Sequence, residues 1–325
     1  MDMYQRPRRN RKSAAIRGMV EETNLSVSHL IYPLFVAENP DEKSEIASMP
    51  GIFRWGTEKV LSEIEECVEL GIQNFVLFPV VPEKYKTKRG EYSADEKNFY
   101  LKVATEIKKR FPQISLMSDV ALDPYSTDGH DGIVENGIIL NDETLPVLAN
   151  MSLAQAQAGF DIIGPSDMMD GRIAIIRETL DDNDYDQTSI MAYSAKYASA
   201  FYGPFRDALD STPKSGDKKT YQMNPANKKE ALLEAMLDIE EGADFLMVKP
   251  ALAYLDVIHS LKENFVLPIT AYNVSGEYAM VKAAANNGWL NYDATMQETL
   301  LSMRRAGANA ILTYHAKDFA QLHKK

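Results

Sequence analysis

Eight short apolar runs, most of them separated by helix-length segments, constrain the fold of this 325-residue chain more than any other feature. Each run has about the length of a strand that is buried on both faces. The runs are HLIYPLFVA (29–37), NFVLFPVV (74–81), ISLMSDVAL (114–122), FDIIGPS (160–166), SIMAYS (189–194), DFLMVKP (244–250), LPITAYNV (267–274) and NAILTYH (309–315). They predict eight buried strands.

The segments between these runs carry helical periodicity, as in TEKVLSEIEECVELG and NKKEALLEAMLDIEEGAD. A helix that ends in glycine and turns at once into a strand is the usual αβ connection. Such glycines stand before four of the runs, at Gly71, Gly159, Gly242 and Gly307. Eight alternations favour an α/β fold of the (β/α)8 barrel type over an open doubly wound sheet. We assign residues 1–25 to an N-terminal arm and residues 26–325 to the catalytic barrel.

Several classes of protein find no support in the sequence. Neither GxGxxG nor GxxxxGK[ST] occurs, so no nucleotide cofactor is predicted. No run reaches the eighteen apolar residues of a membrane span, and no apolar signal core follows the N-terminal basic residues. The single cysteine, Cys67, excludes an internal disulfide and is predicted to be a small core residue. We therefore expect a cytoplasmic protein without a membrane partner.

The N-terminal arm is basic although the whole chain has a net charge of -12. Its first seventeen residues contain six arginines or lysines and one acidic residue, Asp2. Such an arm could bind nucleic acid, lie on the acidic surface of a neighbouring subunit, or remain a solvated tail. No basic patch interleaved with aromatic residues follows it. We therefore favour the neighbouring subunit and predict no nucleic-acid partner.

Polar residues stand at the predicted carboxyl ends of six strands. In barrel enzymes those ends meet at one face, where the chemistry takes place. The residues are Asp119, Asp123, Ser166, Tyr193, Lys196, Lys249, Tyr272, Ser275, Tyr314 and His315. Each alone is equally compatible with a capping or loop role, but together they predict an active site.

Lys196 and Lys249 are the most informative members of this set. A lysine is a nucleophile only when unprotonated, and its ordinary pKa of roughly 10.4 leaves about one in a thousand in that form near neutrality. Burial and a neighbouring cation both favour the free amine, so two lysines held together in a dry pocket predict imine chemistry. The alternative is that each amine reaches the rim or pairs with a carboxylate.

The sequence around these lysines resembles the porphobilinogen synthase family. The similarity is carried by MAYSAKYASAFYGPFRDA, ADFLMVKPALAYLDVI, GPSDMMDGRI, AYNVSGEYAM and TYHA, and it runs from RPRRNR to the final strand. The resemblance implies a hydro-lyase that condenses two molecules of 5-aminolevulinate to porphobilinogen, with loss of two waters, in tetrapyrrole biosynthesis. It implies Schiff bases on Lys196 and Lys249, and a homo-octamer whose arms embrace neighbouring subunits.

The resemblance also implies how the two substrate carboxylates are bound. Arg206 and Lys218 would hold one through charge-assisted hydrogen bonds, and Ser275 and Tyr314 would hold the other. The remaining substrate-binding residues would be Ser166, Tyr193, Phe205 and Tyr272. The segment YGPFRDALDSTPKSGDKK reads as a lid that excludes water, with Lys214 and Lys219 solvated on its surface.

The segment DVALDPYSTDGHDG departs from the zinc-dependent relatives. Those relatives carry three cysteines where this chain has Ala121, Asp123 and Asp131, and one remote cysteine cannot build a three-thiolate zinc site. Asp119, Asp123 and Asp131 would bind a hard cation such as magnesium, or act on substrate amine and protons without a metal. We favour the metal-free site and expect His130 to be a loop residue.

A second metal site is implied on the helix before the Lys249 strand. Glu234 matches the position at which other relatives bind an activating, allosteric magnesium ion. One glutamate supplies few of the six ligands of magnesium, so an ordinary solvated carboxylate is the alternative. Glu240 and Glu241 read as charges at the end of the helix.

Two other functions compete with this interpretation. One is a class I aldolase or dehydratase barrel that uses a single Schiff-base lysine, the second lysine being only a cation. The other is a barrel that has lost catalysis and binds nucleic acid or a scaffold through its basic arm. The intact set of predicted site residues argues against the second alternative.

Overall fold

The computed structural model describes residues 4–209 and 213–324, and within them eight parallel strands close into a barrel. The strands are β1 (Leu30–Ala37), β2 (Asn74–Val80), β3 (Ser115–Met117), β4 (Ile162–Ile163), β5 (Ser189–Lys196), β6 (Phe245–Lys249), β7 (Ile269–Asn273) and β8 (Ala310–Thr313). They pair in chain order, and β8 returns to β1. The prediction of a (β/α)8 barrel is confirmed. Residues 1–3 of the predicted arm and 210–212 of the predicted lid lie outside the described residues.

The register of β5 and β6 fixes the relation between the two predicted catalytic lysines. Lys196 and Lys249 are the last residues of their strands and stand directly opposite each other in the parallel pairing. Neighbouring strands lie about 4.8 Å apart, so the two side chains leave the sheet as neighbours at the carboxyl end of the barrel.

Eleven helices lie in the described part of the chain, most of them between strands. They are α1 (Ala14–Met19), α2 (Thr57–Glu69), α3 (Phe99–Arg110), α4 (Asn141–Gln157), α5 (Arg172–Asp182), α6 (Gly203–Leu209), α7 (Glu230–Glu240), α8 (Leu255–Asn264), α9 (Ser275–Asn286), α10 (Tyr292–Ala306) and α11 (Ala316–Leu322). The face of α2 that packs on the barrel includes Val60, Ile64 and Cys67, which confirms Cys67 as a core residue. No helix in residues 4–209 and 213–324 is long and apolar enough to cross a membrane.

The predicted glycine connections are confirmed by backbone geometry. The four glycines have φ angles between 91° and 122°, the left-handed region in which a side chain is strained. Each lies between the end of a helix and the next barrel strand. They therefore turn the chain back into the sheet.

Two short antiparallel hairpins interrupt the alternation and were not predicted. One pairs Lys43–Glu45 with Phe53–Trp55, and the other pairs Ile133–Glu135 with Ile138–Leu140. Arg54 in the first hairpin donates hydrogen bonds to two carbonyl oxygens near the end of α6, at 2.8 Å and 2.6 Å. The hairpin thereby fastens the helix that carries two predicted site residues, Phe205 and Arg206.

The interior of the barrel is aromatic near its carboxyl end. Phe35, Phe78, Tyr193, Tyr272 and Tyr314 are almost fully buried and belong to one cluster. Large rings leave few polar atoms there, so the buried amines above them are poorly solvated. This fold supplies the dry environment that the lysine chemistry requires.

Candidate active site

Lys249 stands within a cage of aromatic rings. Its Nζ lies 4.8 Å from the ring centre of Tyr272, 5.0 Å from that of Phe205, and 5.2 Å from those of Tyr193 and Tyr202. Burial lowers the pKa of Lys249, and the positive charge of Lys196 lowers it further, to about 7. A large fraction of Lys249 is therefore the free, nucleophilic amine at neutral pH.

Lys196 has a different environment, although it is equally buried. Its Nζ lies 2.8 Å from Oδ2 of Asp131 and donates a second hydrogen bond to the carbonyl oxygen of Ser166. Lys196 thus pairs with a carboxylate, which the sequence left open as an alternative to a free amine. The two lysines differ in partner but share one pocket.

Asp131 is the centre of a buried charge cluster. Lys218 contacts its second oxygen and also lies 3.4 Å from Oδ2 of Asp123. Burial alone raises the pKa of Asp131, but the ammonium groups of Lys196 and Lys218 outweigh it and lower the pKa to about 2. Asp131 is therefore ionised at any working pH. Lys218, which is predicted to bind a substrate carboxylate, therefore contacts Asp131 and Asp123 in this structure.

Asp119 is a carboxyl group that titrates near neutrality. Burial raises its pKa to about 7, against the lowering effect of Lys249. Its backbone is fixed from both sides, since the Asp119 carbonyl accepts from Gln155 Nε2 at 2.9 Å and its N–H donates to Tyr100 Oη at 3.3 Å. Such a group can both give and take a proton during catalysis.

The hydroxyl groups predicted to bind a carboxylate lie on adjoining elements. Tyr272 and Tyr314 are joined through their Oη atoms at 2.9 Å. Ser275 Oγ, at the start of α9, accepts a hydrogen bond from the backbone N–H of Phe205 at 3.0 Å. Tyr193 Oη is buried and has no hydrogen-bond partner among the described residues, so it remains available as a donor.

The space enclosed by these groups is small. It measures about 30 Å³, enough for water but far below the usual size of a ligand pocket. Its walls are formed by Asp119, Asp123, Ser166, Lys196, Tyr202, Phe205, Arg206, Lys218, Gln222 and Lys249. Substrate can enter only if part of this wall moves.

Two wall residues, Tyr202 and Gln222, were not predicted. Tyr202 donates from Oη to the backbone carbonyl of Lys249 at 3.1 Å, in addition to presenting its ring to the amine. Its place in the motif YASAFYGPF, four residues before Arg206, was the available signal. Gln222 follows the predicted lid segment, and its type and spacing gave no signal.

The predicted metal positions have different surroundings. No group of three metal-ligating side chains is found among the residues that the structure describes. Lys196 and Lys218 occupy oxygens of Asp131, and Lys218 also approaches Asp123, so this arrangement does not fit a cation. Both ring nitrogens of His130 are engaged, by Tyr221 Oη and a backbone carbonyl, which confirms it as a loop residue.

Glu234 lies outside this pocket, at a cavity of about 550 Å³. Burial raises its pKa to about 7, while Arg172 lowers it. Asp170 and Glu230 line the same cavity, so carboxylate oxygens are available to a hard cation there.

Comparisons with known proteins agree with the fold and with the family resemblance. Residues 4–322 match the family described as Delta-aminolevulinic acid dehydratase. The enzyme of that name from Chlamydia pneumoniae is 52% identical over 322 residues, covering 99% of this chain and 97% of its own, and that from Bacillus subtilis is 50% identical over 318 residues, covering 98% of each. A crystal structure of the Toxoplasma gondii ME49 enzyme with porphobilinogen superimposes with a TM-score of 0.96 at 50% identity, covering 98% of this chain and 91% of its own. The chain therefore belongs to the delta-aminolevulinic acid dehydratase family.

Proposed function

We propose that Lys249 and Lys196 each form an imine with one molecule of 5-aminolevulinate during the family reaction. The family assignment makes the chain a hydro-lyase that converts 5-aminolevulinate to porphobilinogen. The observation that carries the two-imine proposal is the register of β5 and β6, which brings two buried lysines together above an aromatic floor.

At Lys249 the free amine attacks the ketone carbon of one substrate. The ketone oxygen leaves as water once it has been protonated, and Asp119 is the group whose pKa suits that proton transfer. The resulting imine acidifies the adjacent carbon and allows a carbon–carbon bond to form. The second ketone oxygen leaves as the second water when Lys196 forms its imine. The amino group of one substrate then displaces one lysine by imine exchange, and the other lysine leaves by elimination after the carbon–carbon bond has formed.

The charge cluster around Asp131 must rearrange before Lys196 can react. Asp131 stays ionised and holds both Lys196 and Lys218. We propose that the carboxylate of the incoming substrate takes Lys218 from Asp123 and Asp131 and binds it together with Arg206. The substrate carboxylate and the two aspartates compete for the one ammonium group of Lys218. The movement also opens the small pocket. Asp123 and Asp131 then remain to bind the substrate amine.

The substrate at Lys249 is proposed to use the hydroxyl groups on the other side of the pocket. Ser275 and Tyr314 would bind its carboxylate, and their positions on α9 and at the end of β8 support this. Ser166, Tyr193, Phe205 and Tyr272 would enclose the two substrates. Water exclusion by these groups protects the imines from hydrolysis.

We propose a magnesium-type enzyme without active-site zinc. The only cysteine, Cys67, is buried on the core-facing side of α2, and a three-thiolate site cannot form from it. Glu234 would hold an allosteric magnesium ion, whose role would be to stabilise the active arrangement. Asp119, Asp123 and Asp131 are proposed to act without a metal.

The proposed partners are the small-molecule substrate and further copies of the chain in a homo-octamer, in the cytoplasm. The arm residues of the described range are largely exposed, and their basic charge suits the acidic remainder of the chain. Deleting residues 1–12 is expected to lower the mass of the assembly in solution. An unchanged octamer would contradict a role for the arm.

Turnover tests the proposal directly. We expect the purified full chain, supplied with magnesium, to form porphobilinogen from 5-aminolevulinate as the sole substrate. Replacing Lys249 by Met should abolish this turnover, whereas Lys214→Met, in the exposed lid segment, should retain it. Folded protein that forms no porphobilinogen, or that accepts only an unrelated keto acid, would favour the single-lysine aldolase instead.

A further inference from the structure

Glu277 is a buried carboxylate next to the active site that has no part in the proposed chemistry. It lies in the first turn of α9 and is 1% exposed. Its Oε2 accepts hydrogen bonds from the backbone N–H of Val274 and from Asn273 Nδ2, both at 2.9 Å. Its Oε1 accepts from the backbone N–H of Leu252 at 2.8 Å.

Only part of this arrangement is ordinary helix capping. A glutamate at the third helical position commonly accepts from the backbone before the helix, as Glu277 does from Val274. The bond to Leu252 is different, because Leu252 belongs to the preceding βα unit and follows Lys249 by three residues. Glu277 therefore joins the chain just beyond Lys249 to the carboxyl end of β7.

The hydrogen bonds continue to the end of β8. Asn273 Oδ1 accepts from Thr313 Oγ1 at 2.9 Å, and Thr313 Oγ1 accepts from the backbone N–H of His315 at 3.1 Å. Asn273, Thr313 and His315 are fully buried. Tyr314 lies between the last two, so one buried chain of bonds ties it to the segment that follows Lys249.

The two ends of this chain of bonds are the two ends of one substrate site. Lys249 would form the imine with the ketone, and Ser275 and Tyr314 would bind the carboxylate. Ser275 directly follows Val274, which donates to Glu277. Glu277 accepts hydrogen bonds from both sides and therefore holds the distance between the Lys249 amine and the hydroxyl groups of Ser275 and Tyr314.

We propose that Glu277 is a positioning residue that sets the span between Lys249 and the Ser275–Tyr314 hydroxyl groups, and thereby the chain length of the keto acid accepted at Lys249. This proposal rests on the proposed function. The proposed substrate, 5-aminolevulinate, has two methylenes between its ketone and carboxylate, and the span is proposed to match that length. An acid with one more methylene would not fit it, because the buried bonds resist widening of the site.

The test compares two keto acids that lack the amino group, 4-oxopentanoate and 5-oxohexanoate, which differ by one methylene. The full chain is incubated with both, reduced with borohydride, and digested, and adducts at Lys249 are quantified by mass spectrometry. In a fitted pocket one methylene changes selectivity by about tenfold or more, and we expect this preference for 4-oxopentanoate in the unaltered chain.

Glu277→Gln removes one acceptor and places an NH2 group against a backbone donor, so one side of the clamp is lost. We expect the preference at Lys249 to fall below about threefold, because the fitted-pocket discrimination is relaxed. Glu277→Asp, too short to reach both sides, should also reduce it. Each preference is a ratio within one sample, so it does not depend on the folded fraction.

Glu241→Gln is the matched control. Glu241 also accepts backbone N–H bonds from another element, at Ile173 and Ala174, but it lies in a different βα unit. The preference should be unchanged in this variant. If Glu277→Gln keeps the full preference, the positioning role is wrong while the proposed function stands. If the unaltered chain gives no adduct at Lys249 with either acid, both are overturned.

Discussion

At the residue scale, two lysines of similar burial have different chemical states. Lys249 is surrounded by rings, and its pKa is lowered to about 7 by burial and by Lys196. Lys196 is held by the ionised Asp131. We therefore expect the first imine at Lys249, because its free amine is available without displacing a partner.

The pH dependence of Lys249 should respond to the charge of Lys196. The free amine increases as pH rises through about 7, so imine formation rises over the same range. Lys196→Met removes a repelling cation and should raise the pKa of Lys249. At a pH below that pKa, a rise of one unit lowers the fraction of free amine about tenfold. Competitive acetylation with mass spectrometry across pH measures this. Lys214→Met is the control, and an unchanged or lower pKa in Lys196→Met contradicts the account.

Removing the charge of Asp131 should affect both activity and stability. Asp131→Asn leaves the buried Lys196 without a carboxylate partner and Lys218 with Asp123 alone, a loss of about 3–5 kcal/mol for a broken buried pair. We expect kcat/KM to fall about 100-fold or more, because the substrate amine also loses a proposed carboxylate partner. A 100-fold fall corresponds to about 2.7 kcal/mol of transition-state stabilisation. Asp181→Asn, which breaks an exposed pair with Arg177, should cost less than about 1 kcal/mol.

The difference in stability between the unaltered chain and Asp131→Asn should depend on pH in a defined direction. The pKa of Asp131 is lowered from 3.8 to about 2 on folding, so its contribution is fully present above pH 4 and is lost as pH falls toward 2. The melting temperatures of the unaltered chain and of Asp131→Asn should therefore differ at pH 6 and converge near pH 2. A difference that grows on acidification would contradict this assignment.

At the scale of elements, the start of α9 determines where the hydroxyl of Ser275 lies, which is proposed to bind a substrate carboxylate. Gly276 follows it, and a Cβ there would stand 2.5 Å from the carbonyl oxygen of Phe201. The helix can approach the turn Ala200–Tyr202 this closely only because residue 276 has no side chain. The position of Ser275 therefore depends on this contact.

Gly276→Ala should displace α9 and weaken substrate binding. Overpacking of this kind costs about 1–3 kcal/mol, so we expect a lower melting temperature and a KM raised about tenfold. Steady-state kinetics and thermal unfolding measure both. Gly203→Ala is the control, because a Cβ at Gly203 meets nothing within 4 Å. Equal behaviour of the two variants would contradict the proposed contact.

Elements of the fold were predictable to different degrees. Buried parallel strands read as continuous apolar runs, and all eight were found in the sequence. The two hairpins were missed because strands of three residues carry too few positions for a period. The strands β3 and β4 are shorter than the predicted runs ISLMSDVAL and FDIIGPS, because beyond them only the isolated bridge Val120–Pro165 continues their pairing.

At the scale of the whole molecule, barrel closure creates contacts that no local pattern contains. Asp131 and Lys196 are 65 residues apart, and Asp131 and Lys218 are 87 residues apart. The sequence predicted Lys196 as a site residue from its place at a strand end, and Asp131 and Lys218 from the family resemblance. It did not indicate which cation pairs with which carboxylate, since that depends on side-chain packing.

Metal dependence is a second property of the whole molecule. We expect chelation to lower the turnover of 5-aminolevulinate, magnesium to restore it, and zinc to leave it low, because the available donors are carboxylate oxygens. Glu234→Gln should reduce the response to magnesium, whereas Glu240→Gln, exposed on the same helix, should not. Restoration by zinc alone would contradict the magnesium-type assignment.

Both lysines are proposed to form imines with the same keto acid. The most direct test is to reduce the full chain with borohydride in the presence of 5-aminolevulinate and to locate the adducts by peptide mass spectrometry. The account predicts adducts at Lys249 and at Lys196, with Lys249 modified first. Adducts at one lysine only, under conditions that saturate turnover, would contradict it.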